Sequence, residues 1–141
     1  MNIVIDTNIL ISSLINPESK IANIILNPYS KYKFYSCYFM YIEIFKYKDK
    51  LLKISKIEEN EFLELTYYIL KKITFINEEN IPDIIWKEAY KLTKEIDEKD
   101  TPFIALSIFL DSKVWTGDKK LVDGLNKKGF YNSVNTDDLT L

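Results

Sequence analysis

The chain has 141 residues, of which 47% are hydrophobic and 28% charged, and its net charge at pH 7 is −2. This balance is typical of one globular domain covering residues 1–141, and every apolar run is shorter than the roughly 20 residues of a membrane-spanning helix. The slight negative charge excludes nucleic-acid binding by bulk positive charge. Met1 leads directly into a strand-like run, so we expect no signal peptide, no membrane contact and a cytoplasmic location.

Short β-branched or aromatic runs predict strands, and apolar residues three and four apart predict the helices between them. The predicted strands are 2–5, 32–36, 113–116 and 131–135. The first predicted helix follows Asp6. The others cover 21–27, 38–54, 58–73, the stretch after Pro82 up to Ile96, 101–110 and 121–128. Helices that separate short strands favour a parallel sheet with right-handed crossovers.

Two of these helices carry more detailed expectations. In 38–54, we expect Ile42 and Phe45 to point inward. Thr101 is the expected N-cap of the helix in which Pro102 takes the first position. The segment 103–110 is apolar nearly all round, which predicts the most buried helix of the domain.

The residue types that are missing exclude whole classes of chemistry. There is no His and no Arg, since all 19 basic residues are Lys, and this excludes His-dependent triads, His-based zinc sites and guanidinium clamps. The single Cys37 can form neither an internal disulfide nor a thiolate cluster. Three glycines, all near the C-terminus, do not spell a phosphate-binding loop. The remaining options are carboxylates with a hard metal ion, or Lys, Ser or Tyr without a partner.

Four carboxylates occupy positions that suit an active site. Asp6 directly follows the first strand and Asp118 follows the strand 113–116, at the strand ends that open onto the ligand crevice of parallel sheets. Asp100 precedes the buried helix, whose first amides can orient it. Glu43 lies between apolar residues on the helix 38–54.

Each carboxylate also has a structural interpretation, because an acid at a strand end is often a helix cap and Glu43 suits an exposed helix face. If all four reach one crevice, their mutual repulsion requires a divalent cation. A cluster of carboxylates without His or Cys selects Mg²⁺ or Mn²⁺ over zinc.

Four segments in order resemble motifs of the PIN domain family, metal-dependent ribonucleases that include the VapC-type toxins of bacterial and archaeal toxin–antitoxin pairs. Residues 3–10 look like the opening strand with its D-T-N motif, and Glu43 falls where the second acid is expected. Residues 97–106 are similar to the third motif and 115–121 to the fourth. The resemblance covers nearly the whole chain and implies a three-layer α/β/α sandwich with a central, mostly parallel sheet of four to five strands.

The resemblance also implies a function, that of an endoribonuclease in which metal-activated water hydrolyses RNA to 5′-phosphate and 3′-hydroxyl ends. Asp6, Glu43, Asp100 and Asp118 would be the catalytic residues and would hold one or two Mg²⁺ or Mn²⁺ ions. Asn8 and Thr116 would be their polar neighbours. Asp97 is a candidate for a supporting acid, with a solvated helix-end Asp as the alternative. The implied protein partner is the antitoxin of a type II pair.

A basic stretch follows Glu43 and is the candidate RNA contact. Its lysines are Lys46, Lys48, Lys50, Lys53 and Lys56, of which the first three are the predicted substrate-binding residues. Tyr38, Tyr41 and Tyr47 are interleaved with them and could stack on bases. The alternative is an exposed helix face in a chain rich in both residue types.

Surplus apolar residues suggest a protein interface. Tyr67, Tyr68, Leu70 and the run 24–26 exceed what one helix face buries, which favours a homodimer or the docked helix of a partner, with a well-filled monomer core as the alternative.

Two other functions compete with the nuclease. A catalytically silent PIN-like module that binds RNA or protein would have the same fold, although the presence of all four acids counts against it. A phosphotransfer domain that uses Asp6 fits poorly, because Asn8 stands where the D-x-D pattern of phosphatases needs an acid.

Overall fold

The computed structural model describes residues 1–55 and 57–139, and within them five strands form one parallel sheet. The strands are β1 (Asn2–Ile5), β2 (Lys33–Cys37), β3 (Ile73–Ile76), β4 (Lys113–Trp115) and β5 (Ser133–Val134). Their order is β3-β2-β1-β4-β5, so β1 is central. The apolar side chains of β1 are fully buried, as expected of a strand that is covered on both faces.

Helices cover both faces of the sheet. They are α1 (Thr7–Ile15), α2 (Lys20–Leu26), α3 (Phe39–Ser55), α4 (Glu59–Leu70), α5 (Asp83–Thr93), α6 (Thr101–Phe109) and α7 (Lys119–Lys127). Short 3₁₀ turns cover Glu78–Asn80, Glu98–Asp100 and Thr136–Asp138. Helices α1 to α4 contact one another, whereas α5 contacts α6 and α7, and α6 packs on β1, β2 and β4. The predicted three-layer α/β/α sandwich is therefore confirmed, and its sheet is entirely parallel.

The prediction of one helix over 58–73 is wrong at its C-terminal end. Helix α4 stops at Leu70, and Ile73 begins β3, where it pairs with Phe34 of β2. Ile69 and Ile73 are both buried and lie four residues apart, so the spacing suggests one helical stripe. The chain turns at Lys71 and Lys72, and Ile73 is buried by its neighbour in the sheet instead.

The predicted inward face of α3 is also wrong. Ile42 and Phe45 are 63% and 75% exposed, whereas Met40, Ile44 and Leu51 are buried. Both sets of residues have helical spacing, so the pattern alone does not choose between two apolar stripes. Packing of α3 against α1 and α4 decides which stripe enters the core.

Helix α6 is buried as predicted, but it starts one residue early. Thr101 is its first residue and Asp100 is the N-cap. The Thr101 hydroxyl is within 2.6 Å of the Thr93 hydroxyl on α5, so it joins two helices instead of capping one. Phe103 to Leu106 are buried against the sheet, while Phe109 at the C-terminal end is exposed.

Two of the apolar residues that suggested an interface belong to the core. Ile24 and Ile25 of α2 are buried, whereas Tyr67 and Tyr68 of α4 are 58% and 49% exposed. Across residues 1–55 and 57–139, no single helix is long and apolar enough to cross a membrane. Within the same residues, the consecutive helices α1 and α2 together reach the length and apolar composition of a membrane span, but a bend of 105° separates them.

Candidate active site at the carboxyl edge of the sheet

The register of the sheet brings the first and last predicted acids to the same edge. Ile5 of β1 pairs with Trp115 of β4, so the two strands end side by side. Asp6 follows β1 directly, and Thr116 and Asp118 follow β4. The carboxyl ends of parallel strands form the usual crevice of α/β folds, and the acids stand at this crevice.

Asp6 is held in place by the helix that it starts. Its Oδ1 accepts a hydrogen bond from Ile9 N at 2.9 Å as the N-cap of α1, and the Thr116 side chain lies near the same carboxylate, where hydrogen bonding to it lowers the pKa of Asp6. The side chain is buried, with 3% exposure. Burial raises the pKa of Asp6 to about 6, and the charges of Asp118 and Glu43 add to this shift against the two hydrogen bonds.

Asp118 has the same arrangement on the neighbouring strand. Its Oδ1 accepts from Leu121 N at 3.1 Å as the N-cap of α7. Its own N–H donates to Thr116 Oγ1 at 3.1 Å. Thr116 therefore connects Asp6 to Asp118, in the position predicted for a polar neighbour of the acids.

Glu43 reaches the site from α3, where Thr7 holds it. Thr7 Oγ1 donates to Glu43 Oε1 at 2.6 Å, although the two residues are 36 positions apart. The first residue of α3, Phe39, donates its N–H to Glu78 Oε2 at 3.0 Å, which ties the start of the helix to the 3₁₀ turn that follows β3. Neither Thr7 nor Glu78 was predicted to belong to the site. A hydroxyl directly after Asp6 was the signal for Thr7.

Asp100 differs from the other acids because its carboxylate has an unsatisfied oxygen. Its Oδ2 is buried without a hydrogen-bond partner among the described residues. The expectation that helix-start amides orient Asp100 is wrong. Among the described residues, no amide of α6 donates a capping hydrogen bond to the Asp100 side chain. The backbone of Asp100 is helical (φ −81°, ψ −12°), whereas a residue that caps a helix with its side chain is normally extended. The pKa of Asp100 is raised to about 7, mainly by burial and also by the negative charges of Asp97, Asp6, Asp118 and Glu43.

One cleft of about 420 Å³ connects most of these groups. Asp6, Glu43 and Asp100 line it, together with Asn8 and Asp97. Asp97 is exposed and accepts from Lys99 N at 3.0 Å, so its main effect within the site is its charge beside Asp100. Asp118 is not part of the lining, although its charge acts on Asp6 and Asp100.

The lysines of the predicted basic stretch have different surroundings in the structure. Lys50 lines the cleft, whereas Lys48 pairs with Glu59 on α4 at 3.4 Å and Lys46 Nζ lies 5.6 Å from the centre of the Tyr47 ring. Residues two apart on a helix face different ways, which explains the separation. Lys56 lies outside the described residues. Lys99, which the sequence analysis did not single out, also lines the cleft.

The donor atoms of this site suit a hard divalent cation. They are carboxylate oxygens, which Mg²⁺ and Mn²⁺ prefer, and the unpartnered Asp100 Oδ2 is an oxygen with a coordination position to fill. Among residues 1–55 and 57–139, however, no three Asp, Glu or Cys side chains are placed to share one ion. Like charges favour separated carboxylates when no cation is present to neutralise them.

The Thr7 contact leads to a first prediction. Replacing Thr7 with Val removes the hydroxyl that orients Glu43 and should weaken Mn²⁺ binding about 10-fold, whereas Thr7→Ser should keep wild-type affinity. Isothermal titration with Mn²⁺ measures both. Equal affinities for Thr7→Val and wild type, in proteins with the same circular dichroism, would show that Glu43 needs no orientation by Thr7.

Comparison with known proteins agrees with this architecture. A family model described as PIN domain matches residues 4–136. Among solved structures, the VapBC2 complex of Rickettsia felis bound to a DNA fragment from its promoter contains a chain with the same fold, at a TM-score of 0.67 and 13% identity. The similarity covers 96% of this chain and 98% of that one. No curated protein sequence matches. Because the family model covers nearly its whole length, the chain belongs to the PIN domain family.

Proposed function

We propose that this chain is a metal-dependent endoribonuclease. The observation that carries the proposal is the cleft at the carboxyl edge of the sheet, which is lined by buried Asp6, half-buried Glu43 and Asp100 with its unsatisfied carboxylate oxygen. Placing one buried and two half-buried acids in one cleft costs stability, and acids with raised pKa values in a cleft are typical of functional sites. Membership of the PIN domain family supports the same interpretation.

Asp6, Glu43, Asp100 and Asp118 are the residues that would hold Mg²⁺ or Mn²⁺. Such an ion supplies Lewis-acid polarisation of a phosphodiester, a lower pKa for water and neutralisation of charge in the transition state. The chain contributes fixed geometry: backbone amides at the starts of α1 and α7 hold Asp6 and Asp118, and the Thr7 hydroxyl holds Glu43. Fixing these carboxylates before substrate binds lowers the cost of reorganisation. Neither His nor Arg is needed.

We further propose that the chain is the toxin of a type II pair that acts in the cytoplasm and is neutralised by a protein antitoxin. The R. felis neighbour was solved as such a complex, which supports a protein partner. The exposed stripe of α3, with Ile42 63% and Phe45 75% exposed, offers apolar surface beyond what a monomer needs. A homodimer through this stripe is the alternative, and the molar mass of the isolated chain from light scattering tests it.

The test of the nuclease proposal is cleavage of single-stranded and structured RNAs by the purified chain with Mn²⁺, Mg²⁺ or EDTA. We expect cleavage with either ion, none with EDTA, and 5′-phosphate ends on the products. The competing proposal, a catalytically silent binding module, predicts that the folded protein neither cleaves RNA nor binds Mn²⁺ in calorimetry. That result would overturn the nuclease proposal.

A further inference from the structure

The cleft that contains the acids continues into a region that metal binding does not explain. Besides the acids and lysines, its lining includes apolar side chains from three helices. The apolar lining residues are Ile11 and Ile15 of α1, Leu51 and Ile54 of α3, and Phe103 of α6. A volume of about 420 Å³ falls within the range of roughly 300–1,000 Å³ that is typical of sites for small organic groups.

Positive charge lines the same cleft. Lys50 and Lys99 both contribute to its walls, and neither forms an ion pair with any residue in the described part of the chain. Lys48, two residues from Lys50, is instead paired with Glu59. The cleft therefore combines acids, apolar walls and unpaired ammonium groups, and this combination is complementary to an anionic ligand that also has an apolar part.

Three of the residues that line the cleft follow one another along one face of α3. Glu43, Tyr47 and Leu51 are four residues apart and lie along one face, so the backbone of Tyr47 is about one turn, roughly 6 Å along the helix axis, from that of Glu43. The half-buried Tyr47 lines the cleft. An aromatic ring at this spacing is suited to stack against a planar group bound next to the acids.

We propose that this part of the cleft binds one unstacked nucleobase of single-stranded RNA, next to the phosphodiester at the acids. Tyr47 stacks on the base, the apolar walls surround it, and Lys50 and Lys99 contact flanking phosphates. This inference rests on the proposed nuclease function and adds a requirement for a single strand, since a base inside a duplex cannot enter the cleft. An apolar peptide segment fits the cleft less well, because it would desolvate both ammonium groups without neutralising them.

The proposal is tested by RNA binding, separately from cleavage. The probe is a fluorescein-labelled RNA about 12 nucleotides long, within the usual range of single-strand sites, titrated by anisotropy against Asp6→Asn protein so that it stays intact. In that protein, Tyr47→Leu and Lys50→Gln should each raise the Kd about 5- to 100-fold. Tyr47→Phe, which keeps the ring, should not. Lys87→Gln is the matched control, on an exposed site of α5 outside the cleft.

A second series changes the RNA instead of the protein. Removing the base at one position at a time should weaken binding several-fold at a single position, and annealing the complementary strand should abolish the contribution of Tyr47. The proposal is overturned if the Kd is insensitive to Tyr47→Leu, Lys50→Gln and base removal, or if single-stranded RNA does not bind; the cleft is then left to a protein segment. If these changes matter but wild-type protein with Mn²⁺ cuts nothing, the nucleobase site stands and the nuclease proposal fails.

Discussion

Asp6→Asn is expected to lower divalent-dependent RNA cleavage at least about 100-fold, the usual effect of removing one group that stabilises charge in the transition state. Asn is a good N-cap, so its side-chain oxygen can still accept from Ile9 N and α1 should start normally. The substitution removes the negative charge and hence one of the anionic ligands proposed for the divalent ion. We expect the loss in the cleavage rate at saturating RNA, with an unchanged circular dichroism spectrum.

The matched control is Asp123→Asn, the same chemical change on an exposed residue of α7. It should leave cleavage unchanged. Full activity in Asp6→Asn would mean either that the measured cleavage comes from a contaminating nuclease or that the reaction occurs elsewhere on the chain. Loss of activity in both variants would point to damage during preparation.

Asp100→Asn is expected to stabilise the protein in EDTA at neutral and higher pH. Burial and neighbouring acids raise the pKa of Asp6 to about 6 and that of Asp100 to about 7, above the ordinary 3.8. The folded state therefore binds more protons than the unfolded state between about pH 4 and pH 7, and the stability of the metal-free protein falls as pH rises through this window. An amide at position 100 removes one of the charges that cause the loss.

The expected gain at pH 8 is about 1–2 kcal/mol, after allowance for solvent screening of a carboxylate that is only partly buried. This corresponds to an increase in melting temperature of about 3–8 °C. At pH 4 the two proteins should melt within about 1–2 °C of each other, because Asp100 is then protonated in the folded wild type and only about half ionised in the unfolded chain, where its pKa is near the ordinary 3.8. Thermal melts followed by circular dichroism from pH 4 to pH 8 measure the difference.

In Mn²⁺, wild type should be more stable than Asp100→Asn, which is the reverse of the order in EDTA. Saturating Mn²⁺ stabilises wild type in proportion to RT ln(1 + [Mn²⁺]/Kd), and it should stabilise Asp100→Asn less because one anionic ligand is gone. Asp123→Asn again provides the control and should behave as wild type in both conditions. If Asp100→Asn melts at or below wild type in EDTA at pH 8, burial of the Asp100 charge costs the fold nothing and this account of the site is wrong.

The sequence pattern was sufficient to predict an element where it allowed only one periodicity or only one way of burying the apolar residues. Strand β1 was predicted with the bounds that the structure has, because a continuous β-branched run is buried on both faces and ends at a capping acid. The burial of α6 followed from its lack of any polar face. The positions of Asp6 and Asp118 at strand ends followed from the same reasoning, since parallel strands finish at one edge.

The pattern was insufficient where two solutions had the same spacing. Ile73 continues the stripe of α4 as well as it begins β3, and only pairing with β2 shows which is correct. On α3, the pair Ile42 and Phe45 and the pair Met40 and Ile44 have spacings of three and four residues. Contact with α1 and α4, not the spacing, decides which face is buried.

The sequence by itself limited the chemistry that is open to this protein: without His and Arg, acids at strand ends favour a hard metal ion over imidazole or guanidinium chemistry. It also determined the fold class, because the alternation of strands and helices permits few topologies. Only the tertiary structure decided how the acids are held, since Thr7 and Glu43 meet across 36 positions and Asp100 keeps an unsatisfied oxygen among the described residues. Contacts between distant residues depend on how helices pack against the sheet, and local spacing does not record that packing.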